Sequence, residues 1–340
     1  MRLEETRHAG QDGLGAVVPV PNVTTGLSSS ARAGRPRRRR RGGAVTNWAS
    51  GGGLAALVFA LPLLLVFTAF SWYPMVRLVI LSLQDTDFFH PATFVGLDNF
   101  RNVINDPLAR IALRNTLYFA LLALIFGYPI PLVCAVLVSE ARRFRGVYAI
   151  LAYLPVVLPP VVSVLLWKTF YDGSATGTFN TVLGWFHLGP YAWLSSQQLA
   201  MPALVLESTW ANAGATVIIY LAALVAVDRQ LYEAASADGA SVWRKVWHVT
   251  LPQLRPVLLV TLMLQIIGTA QVFIEPFLFT SGGPANHTET LLLLIYQYAF
   301  GNSVGAQYGE AAALSLMLAG FLAVLAVVFL RVTRSWSTTG

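Results

Sequence analysis

Long apolar runs alternate with short polar segments along most of this chain. The runs cover roughly 54–81, 117–138, 147–170, 200–227, 257–279 and 311–330. Each is about as long as the 20 residues an α-helix needs to cross the ~30 Å hydrocarbon layer of a bilayer. The pattern predicts six transmembrane helices. Pro74 predicts a kink in the first, and Pro129 and Pro131 a bend or break in the second. Pro155, Pro159 and Pro160 lie inside the third, where neighbouring helices or water must satisfy the freed carbonyls. Trp72 and Tyr73 are expected in an aromatic belt. Between the runs, 82–113, 171–199 and 280–306 read as polar outside loops, and 140–146 and 228–256 as basic inside ones.

Composition agrees with a lipid environment. The 340 residues are 56% hydrophobic and only 11% charged, against about 25% charged in a soluble domain. The formal charge of +7 raises the question of nucleic acid. Its placement answers it, because Arg32, Arg35 and Arg37 to Arg41 gather in one tail ahead of the first run. Basic residues flank the cytoplasmic ends of membrane spans. Arg142, Arg143 and Arg145, then Arg229, Arg244 and Lys245, then Arg331 and Arg334 fall on the same side of a six-span chain. Span count and charge bias therefore agree on both termini in the cytoplasm. Residues 1–50 are rich in Gly, Ser, Arg and Pro without hydrophobic period. They read as a disordered cytoplasmic tail, not a signal peptide. Asn22-Val23-Thr24 matches a glycosylation acceptor that such a tail would never present to the enzyme. The expected organisation is a tail at 1–50, a transmembrane domain at 51–335 and a short end segment at 336–340.

The polar segment 233–256, EAASADGASVWRKVWHVTLPQLRP, reads as two short helices. The first covers about 231–237. Gly239 turns the chain where a Cβ would clash. Ser241 caps a second helix over 241–249, with Val242, Val246 and Val249 on one face. Pro252 is expected to end it. A helical hairpin of this kind on the water side of a membrane suits docking into another protein. The spacing of Glu233, Ala234, Ala235, Asp238, Gly239, Ala240, Leu251, Pro252 and Pro256 resembles the EAA loop of bacterial ABC importer permeases. FVGLDNFRNV at 94–103, RNTLYFALLA at 114–123 and TSGGPANHTETLLLLIYQYAF at 280–300 resemble the carbohydrate-permease branch, the MalF/UgpA type.

That resemblance implies an all-α polytopic bundle with the type I ABC importer fold, in a bacterial inner membrane. It implies that Glu233, Ala234, Ala235, Asp238, Gly239, Ala240, Leu251 and Pro252 couple the subunit to an ATPase dimer. It also implies a second permease subunit, an extracytoplasmic solute-binding protein and a sugar as solute. No G-x-x-x-x-G-K-[ST] loop is present, since neither Lys168 nor Lys245 follows a glycine. ATP would therefore be used by the partner, with no cofactor bound by this chain and no catalytic residue in it. The single Cys134 and the scattered His residues make no metal-binding pattern.

Glu207, Asn212, Gln265, Gln271 and Glu275 interrupt the fourth and fifth runs. Polar side chains in a membrane face protein or a water-filled path. They read either as interhelical hydrogen bonds or as a lining for the solute path. Gln265 is the leading path candidate, being deep and neutral, and able to exchange hydrogen bonds with sugar hydroxyls. Glu207 and Glu275 fall near predicted outer ends, where water reaches them. Two other classes stay open: an ion-driven secondary transporter, which needs an ionisable relay at mid-membrane, and a membrane scaffold or receptor.

Overall fold

The computed structural model describes residues 54–87, 91–141, 143–301 and 306–337. The tail expected at 1–50, with its arginines and the Asn22 motif, lies outside the described residues, as do Arg142 and 338–340. The chain divides into two compact units, Met1–Leu63 and Leu64–Gly340. Of the first, the described part is 54–63, the apolar start of helix α1 (Leu54–Phe67). The second unit holds the following helices: α2 (Tyr73–Ser82), α3 (Asp98–Asn105), α4 (Pro107–Leu122), α5 (Pro129–Glu140), α6 (Arg145–Val157), α7 (Pro160–Phe170), α8 (Thr178–Gly184), α9 (Ala200–Val225), α10 (Arg229–Ala237), α11 (Val242–Lys245), α12 (Leu251–Ala270), α13 (Leu291–Tyr296) and α14 (Tyr308–Ser337). One two-residue antiparallel pair, β1 (Gln84–Asp85) with β2 (Thr93–Phe94), is the sheet among the described residues.

Five stretches among the described residues are long and apolar enough to cross a membrane: Val58–Ser82, Pro107–Glu140, Ala200–Val225, Val242–Ala270 and Tyr308–Thr333. The third predicted span differs from a simple rod. It is two helices, α6 and α7, bent by 99° at Leu158 and Pro159. Proline at 159 and 160 removes two ladder donors in succession, and the residue before a proline is pushed out of the helical region. Counting that pair as one span makes six.

Three wide π-turns sit at prolines. Thr68–Trp72 precedes Pro74, Ala123–Gly127 precedes Pro129, and Val246–Thr250 precedes Pro252. In each, the residue just before the proline donates its N–H five residues back: Tyr73 to Thr68 O, Tyr128 to Ala123 O, Leu251 to Val246 O. The extra residue relieves the clash between the proline ring and the carbonyl four residues earlier. This overturns one expectation. Pro252 does not end the second helix of the polar segment, because the chain stays helical from Val242 to Ala270.

Other boundaries move for local reasons. The second span starts at Pro107, ten residues before the start expected at Leu117. Asp106 caps it by accepting from Leu108 N (2.8 Å), with proline at the first helical position. The helix carrying Trp72 and Tyr73 runs on to Ser82. The fifth span stops at Ala270, not Phe279, and Thr290 Oγ1 ties the following bend by donating to Val272 O (3.0 Å). The 280–306 loop contains helix α13.

Three buried clusters organise the second unit. Ala135, Val138, Val217, Tyr220, Leu221 and Leu254 join α5, α9 and α12. Phe119, Val164, Trp167, Met201, Leu204 and Val272 join α4, α7 and α9 to the bend after α12. Val103, Ala112, Leu294, Ala313 and Leu314 join α3, α4, α13 and α14. Helix α9 takes part in two of them, and packs along α6 and α5.

Candidate translocation site

Helices α4, α9 and α12 surround a cavity of about 520 Å³. On α9 the lining positions Ser208, Asn212, Thr216 and Ile219 recur at helical spacing and share one face. On α12, Thr261, Leu264, Gln265, Gly268 and Thr269 do the same, and Gln271 to Glu275 continue the wall past its end. Phe119, Ala123, Gly127 and Pro131 close the third side. Gly127 permits this approach, since a Cβ there would stand 2.9 Å from Thr209 Oγ1 and 3.8 Å from Gln265 Nε2.

The lining is chemically mild. It presents hydroxyls, three carboxamides and one carboxylate, Glu275, and no cationic side chain. Asn212 Nδ2 donates to Ser208 O (2.8 Å) and Gln271 Nε2, just past the end of α12, to Ile267 O (3.3 Å). Gln265 is half-buried. Such a surface can trade hydrogen bonds with a polyhydroxylated solute without stranding a charge.

Four of the five polar residues singled out from the sequence meet here: Asn212, Gln265, Gln271 and Glu275. Glu207 does not line the cavity. The expectation that it sits in water is also overturned, for it is only 2% exposed. Its Oε1 accepts from Ser163 Oγ on α7, and Oε2 has no partner among the described residues. Ser208, Thr209, Thr216, Thr261 and Thr269 were missed. Their signal was spacing: Ser208 or Thr209 with Thr216, and Thr261 with Thr269, stand seven or eight positions apart, two turns along one face of each apolar helix.

The polar segment forms an exposed hairpin. Asp228 caps α10 by accepting from Gln230 N (2.9 Å), so the helix starts at Arg229 and Glu233 lies in its second turn, away from the helix N-terminus. Gly239 has φ +72, and Ala240 N bonds back to Ala235 O (2.9 Å) across it. Ser241 caps α11 (3.4 Å to Arg244 N). Tyr232 Oη and Thr250 Oγ1 (3.0 Å) clasp the two arms. No residue of α10 or α11 is buried, and Trp243 and Trp247 are 71% and 66% exposed. Glu233, Ala234, Asp238 and Gly239 lie on this exposed surface, Ala235 and Ala240 are half-buried, and Leu251 and Pro252 open α12 beneath them.

A bundle of apolar helices around a cavity lined with amides and hydroxyls, carrying an exposed helical hairpin, is the architecture of a membrane-embedded protein with a path and a docking surface. Residues 127–335 match the family described as binding-protein-dependent transport system inner membrane component, and the chain belongs to that family, the permease subunits of ABC importers. It is 30% identical to the arabinooligosaccharides transport system permease protein AraP of Bacillus subtilis, over 84% of this chain and 90% of that one. It is 34% identical to the lactose transport system permease protein LacF of Rhizobium radiobacter, over 79% of this chain and 90% of that one. Among solved structures, it resembles a chain of the bacterial alginate ABC transporter in complex with alginate pentasaccharide-bound periplasmic protein. The TM-score is 0.74 at 26% identity, covering 87% of this chain and 98% of that chain.

Proposed function

We propose that this permease carries an oligosaccharide or a similar polyhydroxylated solute through the cavity between α4, α9 and α12. The cavity lining carries the reading: neutral amides and hydroxyls at helical spacing, with Gln265 at the centre of the α12 face. The named relatives, which transport arabinooligosaccharides and lactose, support it. Access alternates between the two sides as the helices rock around the site. ATP is hydrolysed by a separate ATPase dimer that grips the 229–250 hairpin. A second permease subunit completes the path, and an extracytoplasmic binding protein delivers the solute. Both termini and the hairpin lie in the cytoplasm, in keeping with the basic residues Arg229, Arg244 and Lys245 there.

The test is Gln265→Leu in the assembled transporter. A neutral hydrogen bond contributes about 0.5–1.5 kcal/mol, so uptake of the transported sugar should fall several-fold with the complex intact. Unchanged apparent affinity and rate would remove Gln265 from the path.

A further inference from the structure

Helix α4 carries two arginines on the face turned away from the core. Its buried side is Ala109, Ala112, Asn115, Thr116 and Phe119. The opposite side runs Arg110, Arg114, Leu117, Leu121 and, in the following π-turn, Ile125, all exposed. These positions stack at i, i+4, i+7, i+11 and i+15, one stripe of a helix. Arg110 is steadied by its own loop, Nε donating to Ile104 O (3.4 Å) and Nη2 to Asn105 O (3.3 Å), and makes no ion pair among the described residues. Arg114 has no hydrogen bond or ion pair among the described residues. The nearest acid in sequence, Asp106, is occupied by Leu108 N and the Tyr298 hydroxyl.

We infer that Arg110 and Arg114 bind the phosphate of an anionic phospholipid, whose acyl chains lie along Leu117, Leu121 and Ile125. Three observations converge. The continuous stretch Pro107–Glu140 has 34 residues. At 1.5 Å per residue it exceeds the ~30 Å hydrocarbon layer, so its ends reach the headgroups. No charged residue occurs between Arg114 and Glu140, which places the arginines in the headgroup layer at one end. The stripe below them is bulky and has no Gly, Ala, Ser or Thr. Helix pairs in membranes pack through small residues, as α9 does at Gly214, whereas lipid chains accept a branched aliphatic wall. Two guanidiniums one turn apart suit a phosphate diester, since each offers planar paired donors.

The experiment uses the complete transporter in nanodiscs of equal phosphatidylglycerol and phosphatidylcholine, with retained lipid counted by native mass spectrometry. The wild-type complex should hold phosphatidylglycerol selectively. Its preference should drop about five-fold for each arginine changed to glutamine, while Arg110→Lys with Arg114→Lys, which keeps the charges without the planar donors, should fall between wild type and the double glutamine variant. Equal retention by wild type and the double glutamine variant overturns the proposal. Should that variant not assemble, the wild type alone decides. Its melting temperature should be higher in phosphatidylglycerol discs than in phosphatidylcholine discs. No difference between the discs, or the same rise from inorganic phosphate added to phosphatidylcholine discs, rejects a lipid site. So does a crosslink from position 114 to the second permease subunit in place of lipid.

Discussion

Glu289 lies in the loop after α12 and is 2% exposed. Its main-chain O accepts from Asn115 Nδ2 (2.9 Å), its Oε2 accepts from Gln297 Nε2 (3.0 Å), and Oε1 has no partner among the described residues. Burial pushes the carboxyl up to about 7, with the Gln297 hydrogen bond opposing the shift in part. Below that value the side chain is neutral in the fold, whereas the unfolded chain ionises near the ordinary 4.5. Between those two values the folded state holds the extra proton, so stability falls as pH rises from about 4.5 to about 7 and is level above. Glu289→Gln keeps the shape and removes the titration. Thermal unfolding of the complex across that window should lose slope in the variant, and identical slopes would show that Glu289 is not the group. Gly282 beside it has φ +87, and a Cβ there would run into Glu289 Oε2, so the glycine is needed both for its backbone angle and for the space.

At the scale of elements, α9 and α6 approach closely at Gly214. A Cβ on Gly214 would collide with Ala152 O and the Tyr153 backbone. Two helices in lipid gain contact only where small residues let the backbones near each other. Gly214→Leu should force them apart, opening the α5–α6–α9 contacts that line one flank of the core. The expected loss is about 1–3 kcal/mol, as for other overpacked sites. A lower melting temperature and a lower yield of assembled complex would report it, and wild-type values for both would show the helices can shift without cost. The π-turns belong to this scale too. Each of the three proline π-turns lets a helix continue past a residue that ordinarily stops it, so α12 is joined without a break to the exposed hairpin. Gln265 thus lies on the same continuous helical stretch as the second arm of the hairpin.

For the whole molecule this stretch runs from the exposed hairpin to the lining of the cavity. Gly239 at φ +72 is where α10 turns toward α11, and nothing among the described residues beyond its chain neighbours lies within 4 Å of where its Cβ would be. The cost of a side chain there is conformational, about 1–2 kcal/mol. Glu233 projects from an exposed surface, so charge reversal acts on a partner and not on this fold. Gly239→Asp and Glu233→Lys should leave the subunit inserted and lower solute-stimulated ATP hydrolysis and uptake together. Reconstitution with the ATPase in liposomes measures both, and unmodified rates in both variants would mean that the hairpin does not couple.

Span number, the apolar character of each helix, the hairpin with its turn at Gly239, and four of the cavity's polar residues were legible from the sequence. Each rests on local periodicity or on a residue's intrinsic backbone preference, and such signals survive without knowledge of the fold. Other features arise from contacts between distant segments. Glu207 reads as a wet acid near a helix end, until α7 folds back at 99° and Ser163 closes over it. Pro252 reads as a stop, until a wide turn ahead of it re-registers the ladder. The 280–306 stretch reads as a loop, until Asn115 Nδ2 donates to Asn286 O (2.6 Å) and Thr116 Oγ1 accepts from Leu291 N (3.0 Å) at the start of α13. Hydrogen bonds across more than a hundred residues have no periodicity to read, so only the tertiary structure decides them.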